Sequence, residues 1–150
     1  MFDYSLGKSR RKKIYMKLKT IHYWFLIFAV GFFAYQQIQD NIRPYYAGEN
    51  LIIVYLLGVA PNFFPAVSIP ALFVLALPYV FQKKSEEFWI IKKRHVVANL
   101  ISIIGLVGWE FTQQFGKLHF DWHDILWTFI GAACFHMIWV FTPERLKSRV

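Results

Sequence analysis

The chain has 150 residues, of which 57% are hydrophobic and 20% aromatic, and it carries a net charge of +8. This length suits one domain, and the hydrophobic share exceeds the about 45–50% that is usual in a soluble domain. Because the apolar residues are clustered and the charges lie between the clusters, the composition indicates an integral membrane protein rather than a nucleic-acid-binding one. The lone cysteine, Cys134, excludes an intrachain disulfide and a C-x-x-C zinc motif.

A basic segment, residues 1–20, precedes the first long apolar stretch, residues 21–38. A helix of this length crosses the roughly 30 Å hydrocarbon layer, and aromatic residues lie at both of its edges. We therefore predict a first transmembrane helix. The alternative is a cleaved signal peptide, but the small residues that resemble a cleavage site lie inside the apolar run. The basic segment is expected in the cytoplasm as a topology signal, or as a surface helix on anionic lipid.

The next apolar stretch, residues 51–81, is too long for one perpendicular crossing, since a single helix would extend about 46 Å. It also contains four prolines, which disfavour an unbroken helix. We therefore predict two pieces, an interfacial segment over 51–60 and a second span over 63–81. A re-entrant half-helix over 51–60 is the alternative. The four prolines are Pro61, Pro65, Pro70 and Pro78.

Two further apolar stretches predict a third span over 95–114 and a fourth over 122–141, followed by a basic tail over 143–150. The predicted fold class is an all-α bundle of four transmembrane helices, occupying residues 21–142. Small residues are expected to let the third and fourth spans pack closely. They are Ala98, Ser102 and Gly105 on the third span and Thr128 and Gly131 on the fourth.

The basic residues predict the orientation of this bundle. Segments 1–20, 82–94 and 143–150 hold seven, five and three Lys or Arg residues, whereas loops 39–50 and 115–121 hold one each. The positive-inside rule then puts both termini in the cytoplasm. The expected location is the inner (cytoplasmic) membrane.

Carboxylates collect at the predicted outer ends of the third and fourth spans. Glu110 lies near the end of the third span, and Asp121 and Asp124 begin the fourth, so the three can meet across a hairpin. Carboxylates at membrane depth are candidates for function, and two that share a site can work as acid and base. The alternative is that Asp121 and Asp124 only cap the helix. Gln113 and Gln114 are either ligand-orienting or plain interfacial residues.

A metal site is a further alternative in the same loop. His119 and His123 alternate with the two aspartates, and imidazole and carboxylate are ordinary zinc ligands. Spacing in a short loop is weak evidence, so we predict no cofactor, with a divalent metal as the less favoured alternative.

The ends of these two spans resemble the signature of VanZ-like membrane proteins. An E-x-x-Q motif runs from Glu110 to Gln113, and a D-x-x-D-x-x-x-T-x-x-G motif runs from Asp121 to Gly131. Lys117 stands near the family's basic position, and Asn62 lies in a proline-broken stretch similar to one in the family. The resemblance covers about residues 60–142. The chain departs from the pattern at Thr128, where the family has Asn, and at Lys117, where it has Arg.

This resemblance implies a bacterial inner-membrane protein of the cell envelope, in a family linked to low-level glycopeptide antibiotic resistance. It implies no defined reaction, so whether the chain is an enzyme stays open. We expect recognition or processing of a polar lipid or lipid-linked cell-wall precursor. In that hypothesis Glu110 is an acid/base or an acceptor, and Asp121 and Asp124 bind cationic groups or a metal. Gln113, Gln114, Lys117, Thr128 and Asn62 are the expected ligand-binding residues.

Two other classes of function are consistent with the same composition. The chain could be a non-catalytic subunit of a larger membrane complex, such as a transport or defence assembly, or a homo-oligomer. A homo-oligomeric pore is less favoured, because no span shows the continuous polar stripe that a conduit needs.

Overall fold

The computed structural model describes the backbone of residues 4–81, 89–113 and 121–147, and side chains within 20–81, 89–112 and 121–147. No strand occurs in these ranges. A π-helical turn, Gln37–Ile42, and a 3₁₀ turn, Arg43–Tyr45, follow the first helix, and a 3₁₀ turn, Glu144–Leu146, lies in the tail. The helices are α1 (Tyr4–Gln36), α2 (Leu51–Val80), α3 (Trp89–Lys92), α4 (Arg94–Gln113) and α5 (Trp122–Phe141).

Four segments of the described chain are long and apolar enough to cross a membrane, as in a multi-pass membrane protein. They are Thr20–Tyr45, Leu51–Val80, Arg94–Thr112 and Trp122–Phe141. The all-helical fold with four candidate spans is thereby confirmed. The helix of the first span is longer than expected, because α1 begins at Tyr4 and continues through the basic segment.

The division of the second apolar stretch into two pieces was wrong. Helix α2 runs without interruption from Leu51 to Val80, so residues 51–60 form its first turns rather than a separate segment. Asn50 caps this helix, since its side-chain oxygen accepts hydrogen bonds from the amides of Ile52 at 3.0 Å and Ile53 at 3.3 Å. A 30-residue helix is about 45 Å long, so α2 must tilt or project beyond the hydrocarbon layer.

The four prolines do not end α2, because the broken backbone is enclosed by protein. Each interior proline leaves the carbonyl four residues earlier without its helical donor. Such a carbonyl is tolerated at membrane depth where it is buried in protein or faces a polar space. Pro70 and Pro78 are buried, and Pro61 and Pro65 line a polar cavity described below.

Helix α2 is the central element, because it contacts α1, α4 and α5. One close approach is at Gly131 on α5, where an added Cβ would lie 2.6 Å from the Phe63 carbonyl oxygen. Gly131 therefore packs on α2 and not, as expected, on the third span. Gly105 is not at an interface either, since an added Cβ there would meet nothing within 4 Å. The expected packing role of Gly105 was wrong.

One end of the bundle, here called the tail end, is closed by the tail itself. The fully buried Trp24 stacks on Trp139 with 5.2 Å between ring centroids, and its indole N–H donates to the Leu146 carbonyl at 2.8 Å. The Thr20 hydroxyl donates to the carbonyl of Arg145. The start of the first span and the tail therefore lie at the same end, as an even number of crossings requires. The opposite end is called the cavity end.

Gly131→Ala is expected to destabilise the bundle, because the new methyl group would overlap the α2 backbone at Phe63. Overpacking of this kind costs about 1–3 kcal/mol. The matched control is Gly105→Ala, which meets no neighbour and gains helix propensity of about 1 kcal/mol. Thermal unfolding in detergent should show a lower midpoint for Gly131→Ala and an unchanged or higher one for Gly105→Ala. Equal midpoints would contradict the close approach of α5 to α2.

Candidate functional site

A cavity of about 700 Å³ lies between α1, α2, α4 and α5 at the cavity end and is called the polar cavity. It collects groups from the end of α1 and its following turns, the first half of α2, the end of α4 and the start of α5. Its polar lining residues are Gln39, Arg43, Asn62, Ser68, Glu110 and Asp124. Its aromatic lining residues are Phe28, Phe32, Tyr35 and Trp109.

Glu110 is the most deeply buried charged group of the polar cavity. It lies one turn before the end of α4 and is only 2% exposed. An ionised carboxylate removed from water is costly unless polar or cationic groups surround it. The polar lining is thus what permits an acidic residue at this depth.

Asp124, in the first turn of α5, lines the same cavity. Asn62 on α2 and Arg43 after α1 both act electrostatically on its carboxyl group, and both line the same cavity. The structure therefore brings together three sequence-predicted site residues, Glu110, Asp124 and Asn62, on three different helices.

The α2 wall of the cavity offers further polar atoms. Ser68 is only 1% exposed, and within the described part of the chain its hydroxyl has no hydrogen-bond partner. The side-chain oxygen of Gln39 is likewise unpaired among the described residues. Pro65 deprives the carbonyl of Pro61 of its helical donor, and Pro61 lines the cavity, which adds an acceptor there.

Asp121 and His123 lie outside the cavity lining. Asp121 is the N-cap of α5, because its side chain accepts a hydrogen bond from the His123 amide at 2.8 Å. His123 is exposed, with its imidazole 3.7 Å from the Asp121 carboxylate and edge-on to the ring of Tyr55. The capping alternative therefore applies to Asp121, whereas Asp124 faces the cavity.

The remaining predicted site residues do not join this arrangement. Thr128 is fully buried, but its hydroxyl donates to the backbone carbonyl of Asp124 at 2.9 Å, within its own helix. Gln114, Lys117, His119 and the side chain of Gln113 lie outside the described residues. In the ranges that are described, no three His, Cys, Asp or Glu side chains form a group able to hold a metal.

Several cavity residues were missed by the sequence reasoning. Gln39 and Arg43 sit on the π-helical and 3₁₀ turns after α1, and non-α turns of this kind often occur at functional sites. The sequence could have pointed to Arg43, because it is the lone base of loop 39–50. It could not have pointed to Ser68, since one serine in an apolar helix is also typical of helix packing.

No family model, curated protein or solved structure matches the chain. The resemblance to VanZ-like proteins therefore stays a prediction from motifs.

Asp121→Ala is expected to lower the stability of the protein by about 1 kcal/mol, because it removes the N-cap of α5. Asp121→Asn should keep most of that stability, since asparagine caps as well as aspartate. Thermal unfolding in detergent measures both. If Asp121→Asn destabilised as much as Asp121→Ala, the carboxylate charge rather than the cap would be what matters.

Proposed function

We propose that this chain binds the polar head group of a membrane lipid, or of a lipid-linked cell-wall precursor, in the polar cavity. The observation that carries the proposal is a buried carboxylate, Glu110, that lines a 700 Å³ cavity together with Asp124 and Asn62. Ionisable residues placed in this way inside membrane-spanning segments mark binding sites and pathways.

The size and the lining of the cavity support a ligand site. Ligand pockets have volumes of about 300–1,000 Å³ and combine apolar or aromatic walls with a few convergent polar groups. The polar cavity has this composition, with rings such as Tyr35 and Trp109 beside Asn62 and Glu110. The proposal concerns recognition, with Glu110 as a hydrogen-bond acceptor, and includes no reaction.

The proposed setting is the cytoplasmic membrane of a bacterium, with both termini in the cytoplasm. The distribution of basic residues supports this orientation, which turns the cavity end towards the outer leaflet. The resemblance to VanZ-like proteins supports a role in the envelope. Sensitivity to glycopeptide antibiotics is therefore a phenotype to measure.

Glu110→Gln is expected to release a lipid that the native chain retains. A hydrogen bond to a charged group contributes about 1.5–3 kcal/mol, which corresponds to a roughly tenfold to hundredfold loss of affinity. Native mass spectrometry after gentle extraction should show one lipid per native chain and none on the variant. Glu144→Gln is the matched control, because Glu144 is exposed at the tail end.

The proposal would be contradicted if Glu110→Gln, folded as judged by an unchanged thermal midpoint, retained the lipid as the native chain does. A stoichiometric protein partner in place of a lipid would favour the alternative of a subunit in a larger membrane complex.

The orientation predicts which residues an impermeant thiol reagent reaches in intact spheroplasts. In a Cys134→Ser background, Glu49→Cys should be labelled from outside, because Glu49 is exposed at the cavity end. Glu144→Cys should be labelled only after lysis. The reverse pattern would show that the cavity opens to the cytoplasmic leaflet.

A further inference from the structure

We infer that the bundle conducts protons between the polar cavity and the tail end, through buried water molecules held by one face of α4. This inference goes beyond head-group binding and does not depend on it. Its basis is a run of three residues on that face, Ser102, Asn99 and His95. Each of them has a buried polar atom without a hydrogen-bond partner in the described part of the chain.

This face of α4, called the polar face, continues the polar cavity towards the tail end. At 100° per residue, positions 95, 99, 102, 106 and 110 lie within a sector of about 80°. Leu106 and Glu110 line the cavity, so the cavity reaches along the polar face as far as Leu106. The start of α4 lies at the tail end, since the Arg94 guanidinium donates to the carbonyl of Lys147. The three residues named above therefore lie between the cavity and the tail end.

The polar atoms of these three residues need partners that the described part of the protein does not supply. Ser102 is only 3% exposed, and its hydroxyl is unpaired among the described residues. Asn99 Nδ2 donates to the Ala132 carbonyl at 3.0 Å, whereas Asn99 Oδ1 is buried and unpaired in the same ranges, as is His95 Nδ1. Buried polar atoms of this kind are usually hydrogen-bonded to buried water, which makes about three hydrogen bonds.

The spacing of the three residues suits a chain of single waters. With a rise of 1.5 Å per residue, Ser102 lies about 6 Å from Leu106 along the helix axis. Asn99 lies about 4.5 Å farther on, and His95 about 6 Å beyond Asn99. A water that accepts one hydrogen bond and donates another joins two polar atoms about 5–6 Å apart. One or two waters are therefore enough for each step from the cavity to His95.

Such a chain passes protons from one water to the next. Each water gives one hydrogen to its neighbour and takes one from the other side, so O–H bonds break and form in equal number and no co-reactant is consumed. Polar and ionisable residues inside membrane-spanning segments mark proton relays, and histidine is a common proton shuttle because each ring nitrogen can take or give a proton.

His95 is placed to end this path at the tail end. It lies in the first turn of α4 and is only partly buried, and its ring is held against Trp139 with 4.5 Å between centroids. The charged groups that act on it are His136, Lys93, Arg94 and Lys147. Since lysine and arginine are already protonated, His136 is the neighbour that can accept the proton. Its ring centroid lies 5.8 Å from that of His95, and the residue is exposed.

The test is proton flux in liposomes that contain the full chain and an enclosed pH-sensitive dye, driven by a potassium gradient and valinomycin. We expect more flux than in protein-free liposomes, and a roughly tenfold or greater loss in Asn99→Leu, because a conduit needs polar groups along its length. Thr128→Val is the matched control and should keep the native flux. It also replaces a buried polar side chain by an apolar one of similar shape, but the Thr128 hydroxyl donates within its own helix.

A second variant and a second measurement protect the test against misfolding. If Asn99→Leu does not fold, Ser102→Val removes the next polar group of the path and should lower the flux as strongly. Ser102→Ala tests the water directly. If the Ser102 hydroxyl is hydrogen-bonded to water, its removal should leave the thermal midpoint in detergent unchanged or lower it. A dry, unpaired hydroxyl is a penalty, so its removal would raise the midpoint and overturn the inference.

The remaining outcomes also decide the matter. Native flux no greater than that of protein-free liposomes would overturn the inference, and so would native flux in folded Asn99→Leu and Ser102→Val. Head-group binding stands or falls separately, because it is measured as lipid retained by the native chain and released by Glu110→Gln. A chain that retains its lipid but conducts no protons would therefore support the proposed function and refute the proton path.

Discussion

A carboxylate buried between membrane-spanning helices has to be surrounded by polar groups, and this requirement organises the cavity end of the bundle. Glu110 on α4 is this buried carboxylate, and Asn62 and Ser68 on α2 extend the polar environment across the cavity. Apolar side chains of similar volume would fill the same space at lower cost, since buried charges carry a large desolvation penalty. Close packing alone therefore does not explain the polar lining.

The two ends of the bundle contrast in a way that suits this interpretation. At the tail end, Trp24, Phe135 and Trp139 pack together, and the tail is tied down through its carbonyl groups. Close packing of this kind makes a rigid base. Helix α2 links this base to the cavity, because its second half lies in the core while its first half, around Pro61 and Asn62, forms a cavity wall.

The length of the apolar stretches was enough to predict most of the helical architecture. The features that it did not predict depend on contacts between helices. The fourth span, predicted over 122–141, matches Trp122–Phe141, because an apolar run between charged loops marks its own ends. The split of the 51–81 stretch failed because a proline breaks a helix only where its freed carbonyl lacks an accommodating environment. Asp124 lines the cavity whereas Asp121 caps the helix. The sequence could not separate the two roles, because spacing along a helix does not show how deeply a residue lies in the bundle. Arg43 joins the site only because the chain folds back after α1.

The most direct test of the head-group site is a crystal structure of the full chain grown in a lipidic mesophase. The proposal predicts ordered head-group density in the polar cavity, within hydrogen-bonding distance of the Glu110 carboxylate. Density for water alone around Glu110, with lipids ordered only on the outer surface of the helices, would contradict it.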